Sequence, residues 1–471
     1  MTAIVRGNAL AIPLGAETVD LIVESPPYFA QRSYKDGGEH YDGQIGSEPH
    51  PQLFLEALWA HLAECWRVLK PGGSVFVNLG DKRSGSGAPG TTSGLGGSPQ
   101  GNRTGMGRSV TSGSEVGSTL EGTSQQRRAG ARARAEAAAR SAGGSAGVSY
   151  TRAAFGRAKS RQLLPERFVI GCQEGLADPC VRDHEHVGPP HPVWLESECC
   201  RGQGWIVRQI IVWEKPNGLP ESVRDRTRDN FEVWYHLTKS GAYYAAIDEL
   251  REPHTGGANP SGPNAAVTSW GSGHGDRHRT GRCDPDLLDP RGKLPGSVWR
   301  IATEPLKVPD HLGVEHYAAF PSEWPRRLIL GWSPPGWCTA CGEPRRPVVE
   351  VEHDKYRAAG ATGRPKKQEL GGSHGGGMNV AGYPQTTSTA TITGYACACP
   401  DTSAPTTPAV VLDPFGGTGT TAMVARALGR TGISLDLSAD YCRLAKWRVF
   451  ESPGAQRAAA RTLSERQGAL L

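Results

Sequence analysis

Hydrophobic positions along the chain change their period several times, and the changes mark out elements. Val19-Asp-Leu-Ile-Val23 is a short apolar run that stops at Ser25-Pro-Pro-Tyr28, as a strand running into a turn does. Residues 53–69 carry apolar side chains at helical spacing (Leu55, Leu58, Trp59, Leu62, Cys65, Trp66, Leu69), with Lys70-Pro-Gly-Gly73 as the stop. Ser74-Val-Phe-Val-Asn78 then reads as a strand. Helical spacing returns over 163–176 and 321–331; 206–213 reads as a buried strand and 231–237 as another. Val410-Val-Leu-Asp413 is a strand feeding the turn Pro414-Phe-Gly-Gly-Thr-Gly-Thr420, followed by a helix over 421–428 and a strand over 432–436. Strands alternating with helices predict an α/β fold with a parallel, doubly wound, Rossmann-like sheet.

Composition adds irregular insertions to this picture. The chain has 471 residues, long enough for about three domains. Only 37% are hydrophobic, while 62 glycines and 36 prolines require long stretches outside regular elements. No run approaches the roughly 20 apolar residues that span a bilayer, so a membrane protein is excluded. The N-terminus carries no basic-then-apolar signal segment, and a cytoplasmic location is expected. The net charge of +5 is unevenly spread. Residues 82–160 hold 12 Lys/Arg against 3 Glu and 17 glycines, with no aromatic residue before Tyr150. Such a segment cannot bury enough surface to offset its ordering entropy and is expected to be a disordered basic insertion. It either binds phosphates loosely or is simply tolerated by the fold.

Two places carry chemistry. Glycines 416, 417 and 419, between a strand and a helix, let a ligand approach the backbone closely, and Asp436 ends the next strand 23 residues after Asp413. An acid there can accept both hydroxyls of a ribose. A phosphate loop is excluded because no Lys-Ser/Thr follows the glycines; a purely structural turn is the alternative. Ser25-Pro-Pro-Tyr28 follows a strand, so it lies at the carboxyl edge of the sheet, where such folds hold ligands. Its prolines stiffen the turn and leave the Ser25 and Pro26 carbonyls as acceptors, beside the flat face of Tyr28. Acceptors next to a stacking platform suit the exocyclic amine of a base.

With these motifs in view, the sequence resembles the amino-group DNA methyltransferases that use S-adenosylmethionine. Val19 to Tyr28 matches their catalytic motif, and Val411-Leu-Asp-Pro-Phe-Gly-Gly-Thr-Gly-Thr-Thr421 their cofactor motif. The segment from Gly432 to Tyr441 is similar to the one supplying the ribose acid, and His316-Tyr-Ala-Ala-Phe-Pro321 to the one packing on the methionine end. Arg67-Val-Leu-Lys-Pro-Gly-Gly73 and Pro220-Glu-Ser-Val-Arg224 also fit. Catalytic motif first and cofactor motif last marks the circularly permuted beta group. The resemblance implies Ser25, Pro26, Pro27 and Tyr28 as catalytic residues. It implies Asn8, Phe320, Pro321, Asp413, Pro414, Phe415, Gly416, Gly417, Gly419, Thr420 and Asp436 as cofactor-binding. Asn8 stands where the family often has Asp, Ser434 replaces a common Gly, and Ala319 replaces a Ser or Thr. Double-stranded DNA is the implied partner, with a cognate restriction endonuclease acting on the same site. Ser25 at the first motif position favours cytosine N(4) over adenine N(6). Carbon-5 methylation needs a Cys nucleophile; Pro179-Cys180 lies in an insertion without a preceding strand. A zinc-containing nucleic-acid-binding protein with a degenerate fold is the competing class, and an RNA methyltransferase a third.

The eleven cysteines cluster, which without a secretion signal favours reduced thiols or metal over disulfides. Cys338-x-x-Cys341 and Cys397-x-Cys399 form two pairs, as a structural zinc ribbon requires. Cys180, His184, His186, His191, Cys199 and Cys200 are either a second site or solvated loop residues. The expected organisation is a catalytic half (1–81), the basic insertion (82–160), and core (161–251) with a Cys/His insert at 177–204. A candidate target-recognition region (252–295, with His274, Arg277, His278, Arg279 and Arg282) follows. Then come a cofactor-flanking segment (296–336), the Cys-pair insert (337–405) and the cofactor-binding half (406–471).

Overall fold

The computed structural model describes residues 2–30, 35–36, 39–40, 43–84, 159–177, 204–218, 220–221, 223–252, 289, 291–314, 320–355, 386–399 and 404–454. Most of the expected recognition region (253–288), the second Cys/His cluster and almost all of the basic insertion lie outside them. The chain divides into two units, residues 1–82 with 163–471, and residues 83–162. In the second unit only the two ends are described. They close on each other: the Ser84 amide donates to the Ser160 carbonyl at 2.8 Å, and Lys159 to Ser84 at 2.9 Å.

The first unit is built on an eight-stranded sheet. Its strands are β1 (Ala3–Arg6), β2 (Val19–Glu24), β5 (Leu69–Leu79), β6 (Ile206–Glu214), β7 (Phe231–Thr238), β8 (Val298–Arg300), β13 (Val410–Asp413) and β14 (Thr431–Asp436), in the order β1-β14-β13-β2-β5-β7-β6-β8. A small hairpin, β3 (Lys35–Asp36) with β4 (Glu39–His40), stands apart. From β1 to β5 the strands are parallel, but β7 is antiparallel to β5 and β6, so the sheet is mixed rather than wholly parallel. The reason is a direct β6–β7 connection without a crossover helix.

Two further expectations are corrected. Helix α1 (Pro51–Val68) ends just before Lys70-Pro-Gly-Gly73, as expected, but the strand begins at Leu69 rather than Ser74, and its register against β2 jumps from Val19–Leu69 to Leu21–Ser74. A bulge absorbs the extra residues, and Gly73 packs so closely that a Cβ would lie 2.6 Å from Leu69 Cδ1. Strand β6 is buried only at Ile211 and Trp213; Ile206 and Ile210 are exposed, since β6 has only the short β8 beyond it.

Helices cover both faces. On one, α1 packs with α2 (Leu164–Gln173), burying Phe54, Leu55, Leu58 and Leu62, each contributing about 1.5–3 kcal/mol. On the other, α3 (Glu323–Trp332) and α4 (Thr420–Ala427) join Leu21, Val23, Phe76 and stacked tryptophans 234, 324 and 299 in one core cluster. Helix α5 (Ala439–Lys446) follows β14. The crossover β13–α4–β14 leads one way along the sheet and β2–α1–β5 the other. The crevice of a doubly wound sheet therefore opens between β13 and β2. At the far end of β2, buried Asp20 accepts from Lys70 Nζ (2.8 Å), Trp337 Nε1 (2.7 Å) and the Val410 amide (2.7 Å), locking β2 to β13. A separate ribbon pairs β9 (Trp337–Cys338) with β12 (Thr406–Thr407) and β10 (Arg346–Lys355) with β11 (Thr386–Ala396). Among the described residues, no helix is long and apolar enough to cross a membrane.

Candidate active site

The carboxyl ends of four adjacent parallel strands bring the two sequence motifs together. Ser25 follows β2, Pro414 follows β13, Asp436 ends β14, and Asn8 lies two residues past β1. These residues are spread from 8 to 436 in sequence, so the permuted chain order costs the site nothing.

On the β2 side, Ser25 Oγ donates to Asn78 Oδ1 at 3.2 Å. The Tyr28 hydroxyl lies 2.8 Å from the same Asn78 oxygen and 2.9 Å from Glu232 Oε2. Buried Asn78 is held by its own Nδ2, which donates to the Val233 carbonyl at 3.0 Å. Lys215 Nζ pairs with the other Glu232 oxygen. Two glycines shape this turn. A Cβ on Gly80 would lie 2.6 Å from Tyr28 Cε2, and one on Gly46, at φ +96°, 3.1 Å from Pro27 Cβ. Asn78, Glu232, Gly46 and Gly80 were not singled out in sequence; the spacing of β5 and β7 gives no sign that their ends meet here.

On the β13 side, the glycine-rich turn is tight. Gly419 N donates to the Gly416 carbonyl at 2.7 Å, and Gly417 and Gly419 hold φ +47° and +74°. A Cβ on Gly416 would fall 1.9 Å from Ser434 Oγ, so the serine that departs from the family pattern makes Gly416 obligatory. Asp413 is buried. It accepts from Thr421 Oγ1 at 2.8 Å and the Phe415 amide at 3.1 Å, yet burial pushes its carboxyl up to about 7. Asp436 accepts from the Gly417 amide at 2.8 Å and the Ser438 amide at 2.9 Å. A carboxylate has about four acceptor positions, and one at the end of this strand is the group that would hold the ribose hydroxyls. Asn8 is exposed, and its Oδ1 accepts from the Leu10 amide at 2.9 Å, an Asx turn leading the chain out of β1. The Phe320 ring packs edge-on against Trp234 at 5.8 Å, and the Pro321 carbonyl accepts from the Trp324 amide at the start of α3. Residues 315–319 of that segment lie outside the described ones. A bare glycine turn beside a carboxylate at the end of the next strand fits S-adenosylmethionine.

Behind the cleft lies a buried cluster missed in sequence. His61 Nε2 is 2.7 Å from Glu24 Oε2 and 3.3 Å from Cys65 Sγ, and Nδ1 is 3.0 Å from the Ala9 carbonyl. Burial opposes a charge on His61, but Cys65 and Glu24 outweigh it and hold the imidazole pKa well above its ordinary value. Its ring meets Phe415 edge-on at 4.7 Å. His61 therefore ties the end of β2, the exit of β1 and the glycine turn together.

The ribbon gathers its cysteines. The sulfurs of Cys338, Cys341 and Cys399 lie within 4.8 Å of one another, and the Cys397 thiol reaches Cys338 and Cys341. The amides of Cys341 and Ala340 point at the Cys338 sulfur and pull its pKa down to about 6. The turn closes with Gly342 N donating to the Cys338 carbonyl at 2.9 Å and Gly342 at φ +74°.

A family model described as DNA methylase, covering N6 and N4 methyltransferases, matches residues 19–339 and 404–447, well over half of the chain. The chain belongs to this DNA methylase family. It is 23% identical to the type II methyltransferase M.SmaI of Serratia marcescens over 437 residues, covering 93% of this chain and 86% of that one. It is 26% identical to M.SfiI of Streptomyces fimbriatus over 238 residues, half of this chain but only 35% of that relative's length. A shorter stretch of 78 residues, 16% of this chain and 23% of the other, is 41% identical to the DNA adenine methyltransferase YhdJ of Escherichia coli K12. This DNA methyltransferase of the N4/N6 amino class thus carries both motifs of its family on one sheet edge.

Proposed function

We propose that the protein methylates cytosine N(4) within a specific site on double-stranded DNA, with S-adenosylmethionine as donor. The observation that carries the choice of atom is Ser25 at the head of the catalytic turn, its hydroxyl proton given to Asn78. That bond leaves the Ser25 oxygen lone pairs free to accept from an amine, with the Pro26 carbonyl as the second acceptor. A neutral hydroxyl can also turn and donate to the ring nitrogen beside the amine, which in cytosine is N3. The target base must leave the duplex, at a cost of a few kcal/mol, and stack on Tyr28. The two acceptors orient the amine and make its lone pair available, so catalysis is positioning and electrostatics. S-adenosylmethionine supplies a methyl group on a sulfonium, whose sulfur takes the C–S electron pair as the base nitrogen bonds the carbon. The proton lost from nitrogen leaves through the same acceptors to water.

Adenine N(6) is the second reading, favoured by the short match to YhdJ, because adenine offers the same donor–acceptor edge through N1. Methylation-sensitive sequencing of DNA from cells expressing the protein, against cells expressing Tyr28→Ala, tests the whole reading. A single modified motif that vanishes in the variant is expected; unmodified DNA in both would refute it. The type II designation in the relatives' names supports pairing with an endonuclease that cuts the same site.

The Cys338, Cys341, Cys397 and Cys399 cluster is proposed to hold one structural zinc ion in tetrahedral sulfur coordination, with no part in the chemistry. Elemental analysis should find one zinc per chain, lost in Cys338→Ser together with part of the thermal stability. Metal-free protein of unchanged stability would remove the zinc.

A further inference from the structure

With the cleft read as an S-adenosylmethionine site, one buried charge beside it has no carboxylate partner among the described residues. Arg448 lies in the helical turn Trp447–Glu451 that continues α5, and it is 5% exposed. Among the described residues its guanidinium reaches no carboxylate at ion-pair distance. Its Nη1 donates instead to the hydroxyl oxygens of Thr418 and of Thr420, the latter at 2.6 Å. The charge of Glu304 acts on it from beyond ion-pair distance, and the Glu304 Oε2 already accepts from the Ser322 amide (2.9 Å) and hydroxyl (2.8 Å). Buried Arg430 shows the contrast: it donates to the fixed carbonyls of Leu428 (2.7 Å) and Ser333 (2.9 Å), an arrangement that only staples the chain.

A guanidinium only donates, so both threonine oxygens that accept from it keep their own protons. One of them can donate to the other across 3.2 Å. The remaining proton needs a third acceptor, and a cation one bond away favours an anionic one. The shape of the cofactor says which anion arrives. A sulfonium has three arms. Asp436 at the end of β14 draws the ribose arm, and Ser25 at the end of β2 fixes where the methyl must point. Strand β13 lies between them, so the third arm, the amino acid, points at the turn from Gly416 to Thr420.

We propose that Arg448, acting through Thr418 and Thr420, recognises the carboxylate of the cofactor's amino-acid arm. Arg448 is thus a positioning residue, and it selects a sulfonium that bears a carboxylate.

Calorimetry on the full chain with S-adenosylmethionine and its decarboxylated analogue tests this. The two compounds differ only at the group in question. The intact protein should prefer S-adenosylmethionine by about ten- to a hundredfold, the range of a charge-assisted hydrogen bond. Arg448→Gln should lose most of that preference while binding the analogue as before, and Arg448→Lys should restore part of it. Equal loss for both compounds in Arg448→Gln would make Arg448 a structural pin and overturn the proposal. So would equal affinity of the intact protein for the two, a comparison that needs no variant to fold. An intact protein that binds neither compound would instead refute the S-adenosylmethionine reading on which the proposal rests.

Discussion

Replacing Asp413 by asparagine should stabilise the cofactor-free protein, and more so as the pH rises. Asp413 is 1% exposed, with two hydrogen-bond donors and no cation at ion-pair distance among the described residues. Burial is the main cause that lifts its carboxyl from 3.8 to about 7. The Thr421 and Phe415 hydrogen bonds oppose the lift, and the charges of Glu24 and Asp436 add to it. The folded state therefore holds a proton that the unfolded chain has already released. Stability from that proton is fully present below about pH 4 and is lost as the pH climbs to about 7. Each pH unit costs about 1.4 kcal/mol, so the step from pH 5.5 to 7 removes about 2 kcal/mol, with little further change above it. Asparagine keeps the shape, and the Thr421 hydroxyl can turn to accept from its amide. Urea unfolding of both proteins at pH 5.5 and 8.5 should show the stability gap widening by about 2 kcal/mol in favour of Asp413→Asn. Saturating S-adenosylmethionine, which brings positive charge into the cleft, should shrink that widening. A gap independent of pH would show that Asp413 is ionised in the fold and that the burial argument fails.

Asp436→Ala should weaken S-adenosylmethionine binding by about 2 kcal/mol in calorimetry, as charged hydrogen bonds to the ribose and to the Gly417 amide are lost; unchanged affinity in a folded variant would move the ribose elsewhere. Gly80→Ala should lower kcat about tenfold or more with little change in melting, because the new Cβ displaces the Tyr28 ring rather than the core; an unaltered kcat would mean the ring is not needed where it stands. Excising residues 86–148 should leave folding and site preference intact while reducing DNA affinity at low salt, since Ser84 and Ser160 already lie together and contacts from basic side chains to phosphates carry no sequence information. A changed methylation site after excision would show that the insertion reads sequence.

The parts of the fold visible in sequence were those where local pattern and tertiary environment agree. Helix α1 and strands β2, β13 and β14 have periodic or continuous apolar residues, and each is buried as that pattern requires. Lys70-Pro-Gly-Gly73 marked the end of α1 correctly, but hid the start of β5 at Leu69, because a bulge against β2 uses the same residues as a break would. The antiparallel β7 could not be inferred, since an apolar strand carries no mark of its direction. In the site, the motif residues were legible because their chemistry sits in contiguous runs. Asn78, Glu232 and Gly80 were not, because each looks ordinary within its own strand or loop and gains its part only from Tyr28. His61 and Glu24 were hidden for the same reason: 37 residues separate them, and only the packing of α1 on β2 joins them.

The central claim is methyl transfer to an exocyclic amine at Ser25–Tyr28, and nucleoside analysis tests it most directly. Duplex DNA incubated with the protein and S-adenosylmethionine deuterated in its methyl group is digested to nucleosides and read by mass spectrometry. Labelled N(4)-methylcytosine is expected, absent with Ser25→Ala and with Tyr28→Ala. Labelled N(6)-methyladenine alone would overturn the choice of base but leave the fold and mechanism standing. Label on carbon 5 of cytosine, or no label in DNA at all, would contradict the account.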